Sequence, residues 1–307
     1  MHTFFIVANQ VMTMMIFLSI GFLFFKKKLM TQEGVRTLSN IIVRFATPCA
    51  MMKSFMVDFS TDKLAQLSVS FLFCGIAAIL SIALAHFFCR SSTVIDRFCA
   101  SYGNAGSMGI PLVQAVLGEA AIFDLSAYLL WANILVWTYG FFIVSGKKEK
   151  PNVRQLAHNP MVIAAIISLV LFFLPLQLPD VLVGAINGGA NILMPLAMFV
   201  LGSYLAQTPL LDLFTDMRLY RTTLVRLVLI PIAITLLLLL LPKSYHTISM
   251  VIVIASAAPV ANNTPIVAEM AHQNPLYATQ LVCHSTLFSL LTFPAIVSLS
   301  AFLLHTL

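Results

Sequence analysis

Asn104, Ser107, Asn262, Asn263 and Thr264 are polar side chains set inside strongly apolar runs. Carboxamides and hydroxyls offer neutral donors and acceptors, which hold a small ligand without the cost of an intramembrane charge. Each group sits in a stretch that a regular helix would not choose. Gly103-Asn-Ala-Gly-Ser-Met-Gly-Ile-Pro111 interrupts the run Val94 to Leu117, and Ala258-Pro-Val-Ala-Asn-Asn-Thr-Pro265 interrupts the run Thr247 to Met270. Gly lowers helix stability, and Pro removes a donor and clashes with the carbonyl four residues back. In lipid such a break is tolerated only where protein or a water-filled cavity completes its hydrogen bonds. The candidate substrate-binding residues are therefore Asn104, Gly106, Ser107, Gly109 and Pro111 at the first break, and Asn262, Asn263, Thr264 and Pro265 at the second. Because Pro favours the first helical turn, Pro111 and Pro265 are expected to open second half-helices. The N-terminal amides of those half-helices would face the membrane midplane and suit an anion such as a carboxylate.

The elements that must carry these breaks are membrane spans. Of 307 residues, 60% are hydrophobic and only 9% charged, against about a quarter charged in globular domains. Ten apolar runs follow one another: Thr3 to Phe25, Val35 to Val57, Leu64 to Cys89, Val94 to Leu117, Ala120 to Val144, Pro160 to Leu176, Val181 to Ala206, Tyr220 to Leu241, Thr247 to Met270 and Ala278 to Leu304. Each reaches the roughly 17 residues needed to cross hydrocarbon. No stretch between them is long enough to bury a soluble core. Lys26, Lys27 and Lys28 follow the first run, the reverse of a cleavable signal, and place that end in the cytoplasm with the N-terminus outside. Arg36, Arg90, Arg97, Lys147, Lys148, Lys150, Arg154, Arg218 and Arg221 then fall on the cytoplasmic side, while Lys63 and Lys243 lie outside and Lys53 near that interface. The net charge of +6 thus belongs to topology in a cell membrane, with both termini extracytoplasmic, and not to a nucleic-acid surface. The five cysteines are scattered without a paired motif and read as buried small residues, not as a metal site; no cofactor is expected.

The halves repeat. Asn40 and Pro48 share their spacing with Asn187 and Pro195, Ala50-Met51 matches Ala197-Met198, and Ile110-Pro-Leu-Val113 matches Thr264-Pro-Ile-Val267. Residues 1–145 and 160–307 are two five-span repeats joined by a cytoplasmic linker at 146–159, and five being odd, the second is inverted. Inverted repeats with interrupted spans at corresponding positions are the pattern of secondary transporters. A single broken span is equally well explained by helix packing, with Gly for close approach and Asn bonding between helices; two breaks in matching positions weigh against that.

Asn104-x-x-x-Met108-Gly-Ile-Pro-Leu112, continued by Gln114-Ala115 and Gly118, resembles the fourth-helix motif of the auxin efflux carrier family, which includes the plant PIN proteins. The ninth-span likeness is looser in spacing, and the long cytoplasmic loop of many plant members is absent. The resemblance implies an all-α membrane fold of ten helices in which the broken helices four and nine cross. It implies a scaffold of spans one, two, six and seven, often dimeric, and a transport domain of spans three to five and eight to ten. It further implies alternating access of elevator type, a homodimer in membrane lipid, and a small organic anion as substrate. Bacterial members are associated with malate and malonate, plant members with an indole carboxylate.

Other residues have competing readings. Arg44 lies two helical turns beyond Arg36 and either pairs structurally or meets substrate. Arg226 is similar, with Asp212, Asp216 or Glu269 as expected partners. His284 is either a buried hydrogen-bonded side chain or a proton-coupling group. Asp124 and Glu119 are expected near the outer surface, solvated. Gly184-x-x-x-Gly188 is expected to let helices pack closely. The function classes that remain are a secondary carrier for an organic anion; a sodium-coupled, bile-acid-symporter-like carrier; a channel or sensor; and an intramembrane enzyme built on Ser107 and His284. A pump is excluded by the lack of a phosphate-binding loop, and an enzyme leaves the repeat and the second break without a role.

Overall fold

The computed structural model describes residues 2–90, 92–146, 159–174 and 178–306, so the basic linker residues Lys147, Lys148, Lys150 and Arg154 lie outside the described residues. The described chain is helical, and its one strand-like pairing is an isolated bridge. In the first half, α1 spans His2–Lys26, α2 Gln32–Ile41, α3 Thr47–Ser54, α4 Thr61–Phe88, α5 Val94–Ser101, α6 Ile110–Leu117, α7 Ile122–Leu135 and α8 Phe141–Val144. In the second half, α9 spans Pro160–Phe173, α10 Asp180–Asn191, α11 Leu193–Gln207, α12 Leu210–Thr215, α13 Met217–Leu224, α14 Ile230–Leu238, α15 His246–Ala257, α16 Thr264–Met270 and α17 Pro275–Thr306. Among the described residues, six helices are long and apolar enough to cross a membrane: Thr3–Lys26, Thr61–Phe88, Glu119–Val144, Asp180–Gln207, Met217–Leu238 and Pro275–Leu304. Of the remaining expected spans, Pro160–Phe173 is shorter, the second is helical from Gln32 to Ser54 but carries Glu33, Arg36, Arg44 and Lys53, and two are the spans with breaks. Large apolar side chains point outward from this bundle, among them Phe87, Leu240 and Leu291, as a lipid-facing surface requires.

Helix starts follow the sequence chemistry. Thr31 accepts from Gly34 N at 3.1 Å, Ser60 from Lys63 N at 3.1 Å, and Asn159 from Met161 N at 2.9 Å. Thr93 and Asp96 form a reciprocal capping box that opens α5. The other oxygen of Asp96 accepts from Thr222 at 2.8 Å and Tyr277 at 2.7 Å, tying α5 to α13 and α17.

Prolines leave a recurrent signature. Widened π-turns at Ile42–Ala46, Ala105–Gly109 and Val225–Leu229 are each followed two residues later by Pro48, Pro111 and Pro231. A ring that cannot donate and that crowds the preceding turn is accommodated by widening that turn. Such turns rotate the side chains they carry off the regular helical stripe, and they recur at functional sites.

Two sequence expectations are not met within this chain. Gly184 and Gly188 face open space, whereas Gly189 meets Cys49 and Phe45; the close contact of α10 with α3 is one residue along from the pair that the spacing singled out. Asp124 is not solvated. It is fully buried, accepting from Gln66 at 2.7 Å and Ser70 at 2.6 Å on α4. Glu119, by contrast, is exposed and pairs with Lys53 at 2.8 Å.

Candidate functional site

Both interruptions are present, and they meet. After α5 ends at Ser101 the chain runs extended through Tyr102–Asn104; after α15 ends at Ala257 it runs extended again before α16. The two stretches pair antiparallel at Gly103 and Val260. Asn104 N donates to Pro259 O at 2.7 Å, and Ala261 N donates to Tyr102 O at 3.2 Å. Ser285 of α17 takes a further amide, accepting from Val260 N at 3.1 Å. Backbone groups freed by breaking two helices are thus returned to each other, as an apolar environment demands.

Side chains extend the pairing. Asn104 Nδ2 donates to Asn262 Oδ1, and Asn262 Nδ2 donates to Ser107 Oγ at 3.2 Å. Asn104 Oδ1 also accepts from Ser107 N at 3.3 Å, capping the helical segment that continues into α6. This corrects one expectation. Pro265 does sit at the start of α16, but Pro111 does not open its half-helix, which begins at Ala105 under the Asn104 cap. Asn104, a favoured N-cap residue, was the signal in the sequence that pointed to the earlier start.

A cavity of about 1290 Å³ lies against this crossing. Asn104, Gly106, Ser107, Asn262, Asn263 and Pro265 line it, whereas Gly109, Pro111 and Thr264 are buried behind it. Thr264 instead bonds inward to Ala261 O at 2.6 Å. Asn263 has no side-chain hydrogen bond among the described residues and does not cap α16. Arg44, on its π-turn, also lines the cavity, with no ion pair among the described residues. Sequence reasoning passed over Asn133, Trp137, Tyr204 and Gln207, which also line it. The i, i+4 spacing of Asn133 and Trp137 was the available signal for one shared face.

The cavity opens beside Gln32, Arg36, Asn159 and Glu269, at the end of the bundle that carries Lys26 to Lys28. Arg36 and Glu269 approach to 4.0 Å at this mouth. At the opposite end the Lys53–Glu119 pair and the edge-on and tilted rings of Phe55, Phe123 and Phe172 stand between α3, α7 and α9, beside a smaller cavity of about 230 Å³.

Arg226 and His284 stand behind the crossing and do not line the cavity. Arg226 is completely buried, and its partners are not the expected carboxylates. Its guanidinium donates to main-chain oxygens of Ala258 at 2.9 Å, Ser101 at 3.2 Å, Ala100 at 3.4 Å and Ser256 at 2.8 Å. Asp216 pairs with Arg218 at 2.7 Å and Glu269 with Arg36. His284 is buried against Tyr220 and Phe288, with Nδ1 2.6 Å from the Thr223 hydroxyl.

A multi-pass helical membrane protein with two interrupted helices crossing at a polar cavity is the architecture of a transporter. The comparisons agree: a family model described as "Membrane transport protein" matches residues 6–297, and the chain belongs to that family, the one its auxin-efflux-carrier motif indicates. Among curated proteins, it is 27% identical over 195 residues to one named "Putative malonate transporter" in Rhizobium meliloti (strain 1021), a match covering 58% of this chain and 60% of that protein. It is 25% identical over 189 residues to an uncharacterized transporter of Methanocaldococcus jannaschii, covering 57% of this chain and 61% of that one.

Proposed function

We propose that this protein is a secondary carrier that moves a small organic anion, a mono- or dicarboxylate, by alternating access. The observation that carries this proposal is the crossing itself. Neutral carboxamides and the first turns of both second half-helices line one face of the cavity, and no carboxylate side chain lies within either break. Asn263 and the amides at the half-helix starts supply donors to a carboxylate, and Arg44 adds a positive charge to the same cavity. A charged ligand held largely by neutral donors binds weakly enough to leave again, as turnover requires. The name of the Rhizobium relative speaks for a dicarboxylate of malonate size.

The ten-span topology with both termini outside fits the same picture. By the positive-inside rule the cavity mouth beside Lys26 to Lys28 is cytoplasmic, which makes this arrangement inward-open, sealed outside by Lys53–Glu119. Spans one, two, six and seven form the scaffold and the remainder the moving part, with elevator-type displacement between them. The bare Gly184 and Gly188 face of α10 supports a homodimer through the scaffold.

The test is counterflow in proteoliposomes. Vesicles loaded with unlabelled malonate should accumulate labelled malonate transiently and saturably, which a channel does not do. A panel of mono- and dicarboxylates that all fail to exchange, with an organic cation succeeding, would overturn the proposal.

A further inference from the structure

We infer that the Arg226 guanidinium is a resident counter-cation of the crossing, standing where a carrier of this geometry would otherwise need a bound metal cation, so that ligand binding proceeds without sodium. Each helix leaves unsatisfied carbonyls and about half a negative charge at its C-terminus. Here α5 and α15 end side by side in the protein interior, and their last carbonyls, from Ala100, Ser101, Ser256 and Ala258, converge on one point. A ring of carbonyl oxygens from two helix ends is the kind of donor set that takes an alkali cation. In this chain that point is filled by a side chain with no water-accessible surface. Arginine suits it because a planar fork with five N–H donors reaches several carbonyls at once and stays charged when buried.

The surroundings are shaped for the guanidinium. The π-turn Val225–Leu229 carries Arg226, and the Pro231 that follows accounts for that turn. Gly103 leaves the room: a Cβ there would overlap Arg226 Nη2 and lie 2.7 Å from Cζ. Thr223, one turn earlier on the same helix, is held by His284, and the adjacent Ser285 holds Val260 N in the crossing. No carboxylate pairs with Arg226 among the described residues; its charge is answered by the helix ends and by the neutral hydroxyl of the buried Tyr128. Two half-helix starts and two half-helix ends cancel at about half a charge each. The crossing then retains roughly one positive charge from Arg226, which matches a single carboxylate on the cavity side and opposes entry of a second cation.

This inference takes its ligand from the carrier proposed above, but its first measurement needs no ligand. Melting of the ligand-free wild-type protein should be the same in sodium chloride and in N-methylglucamine chloride at equal ionic strength. A rise of several degrees in sodium overturns the inference, whatever the substrate. Malonate affinity, measured in the same two salts, should agree within about twofold; a tenfold loss without sodium also overturns it. Failure of malonate and every other carboxylate to bind refutes the carrier proposal alone and leaves the melting result standing. Charge and shape are separated by Arg226→Lys and Arg226→Gln. The lysine variant should keep affinity within about tenfold of wild type, while the glutamine variant, which still donates, should lose a hundredfold or more. Equal losses in the two would show that only packing is at stake and overturn the inference. Should neither variant fold, the two wild-type salt comparisons decide.

Discussion

Replacing Asn263 with alanine should separate binding from folding at the crossing. Its carboxamide faces the cavity, makes no side-chain hydrogen bond among the described residues and leaves α16 uncapped. A carboxylate ligand would therefore lose one charge-assisted hydrogen bond, about 1.5–3 kcal/mol, which raises Kd by about tenfold to a hundredfold. The ligand-free protein loses nothing but an unpaired amide, so its stability should move by no more than about 0.5 kcal/mol. Asn104→Ala should act on the fold itself. It removes the bond to Asn262 and the cap on Ser107 N at 3.3 Å, and leaves the Asn262 oxygen short of a partner. A lost cap and a lost neutral bond at about 1 kcal/mol each give about 2 kcal/mol, and more if the stranded oxygen stays dry. Titration calorimetry with malonate, run beside thermal unfolding in detergent, reads both quantities for both variants. The reasoning is refuted if Asn263→Ala binds malonate as wild type does, or if Asn104→Ala melts as wild type does.

Gly103→Ala should lower the melting temperature and malonate affinity together, because the added methyl displaces the Arg226 guanidinium; Gly109→Ala, whose Cβ would find an ordinary contact with Ala105 at 3.6 Å, should leave melting nearly unchanged. Asp124→Asn should destabilise by about 1–3 kcal/mol, since a carboxamide has one accepting oxygen where the carboxylate uses two, one for Gln66 and one for Ser70; an unchanged melt would show that the site rearranges freely. Lys53→Gln removes the ion pair with Glu119 and should cost under about 1 kcal/mol of stability, yet raise outside labelling of a cysteine placed at position 262 in a background without native cysteines. Labelling that stays at wild-type background speaks against that pair as an outer seal.

The two breaks were legible because Gly, Asn and Pro are poor helix formers, and their pairing was legible from the repeat. Their extent was not: Pro111 drew attention six residues too far along, while the chain had already restarted its helix at Ala105. Replacing Gly109 and Pro111 together therefore leaves the interruption at Tyr102–Asn104 in place, and would only narrow the π-turn. Arg226 stood out in an apolar run, but its acceptors are main-chain carbonyls, which carry no residue identity and so leave no trace in a sequence. Asp124 looked interfacial because it follows Gly118 and Glu119 at the start of its span. Its burial depends on Gln66 and Ser70, contributed by a distant helix. The Gly184 and Gly188 spacing pointed to close helix packing without saying against which helix; within this chain helix rotation turns Gly189 inward instead.

The extended strands at the crossing are joined through Asn104 N to Pro259 O and Ala261 N to Tyr102 O, bonds that any residue except proline at the donor positions can make. Their frame is consequently indifferent to much of the side-chain chemistry it presents. Positions 107 and 263 can be exchanged without dismantling the frame, whereas position 103 cannot, because only glycine clears the guanidinium. A transporter lineage built this way can drift from one cargo to another by altering a handful of cavity-facing residues while inheriting the crossing intact. The same property makes this chain a practical starting point for redesigning cargo, with position 103 and Arg226 kept fixed and Ser107 and Asn263 opened to variation.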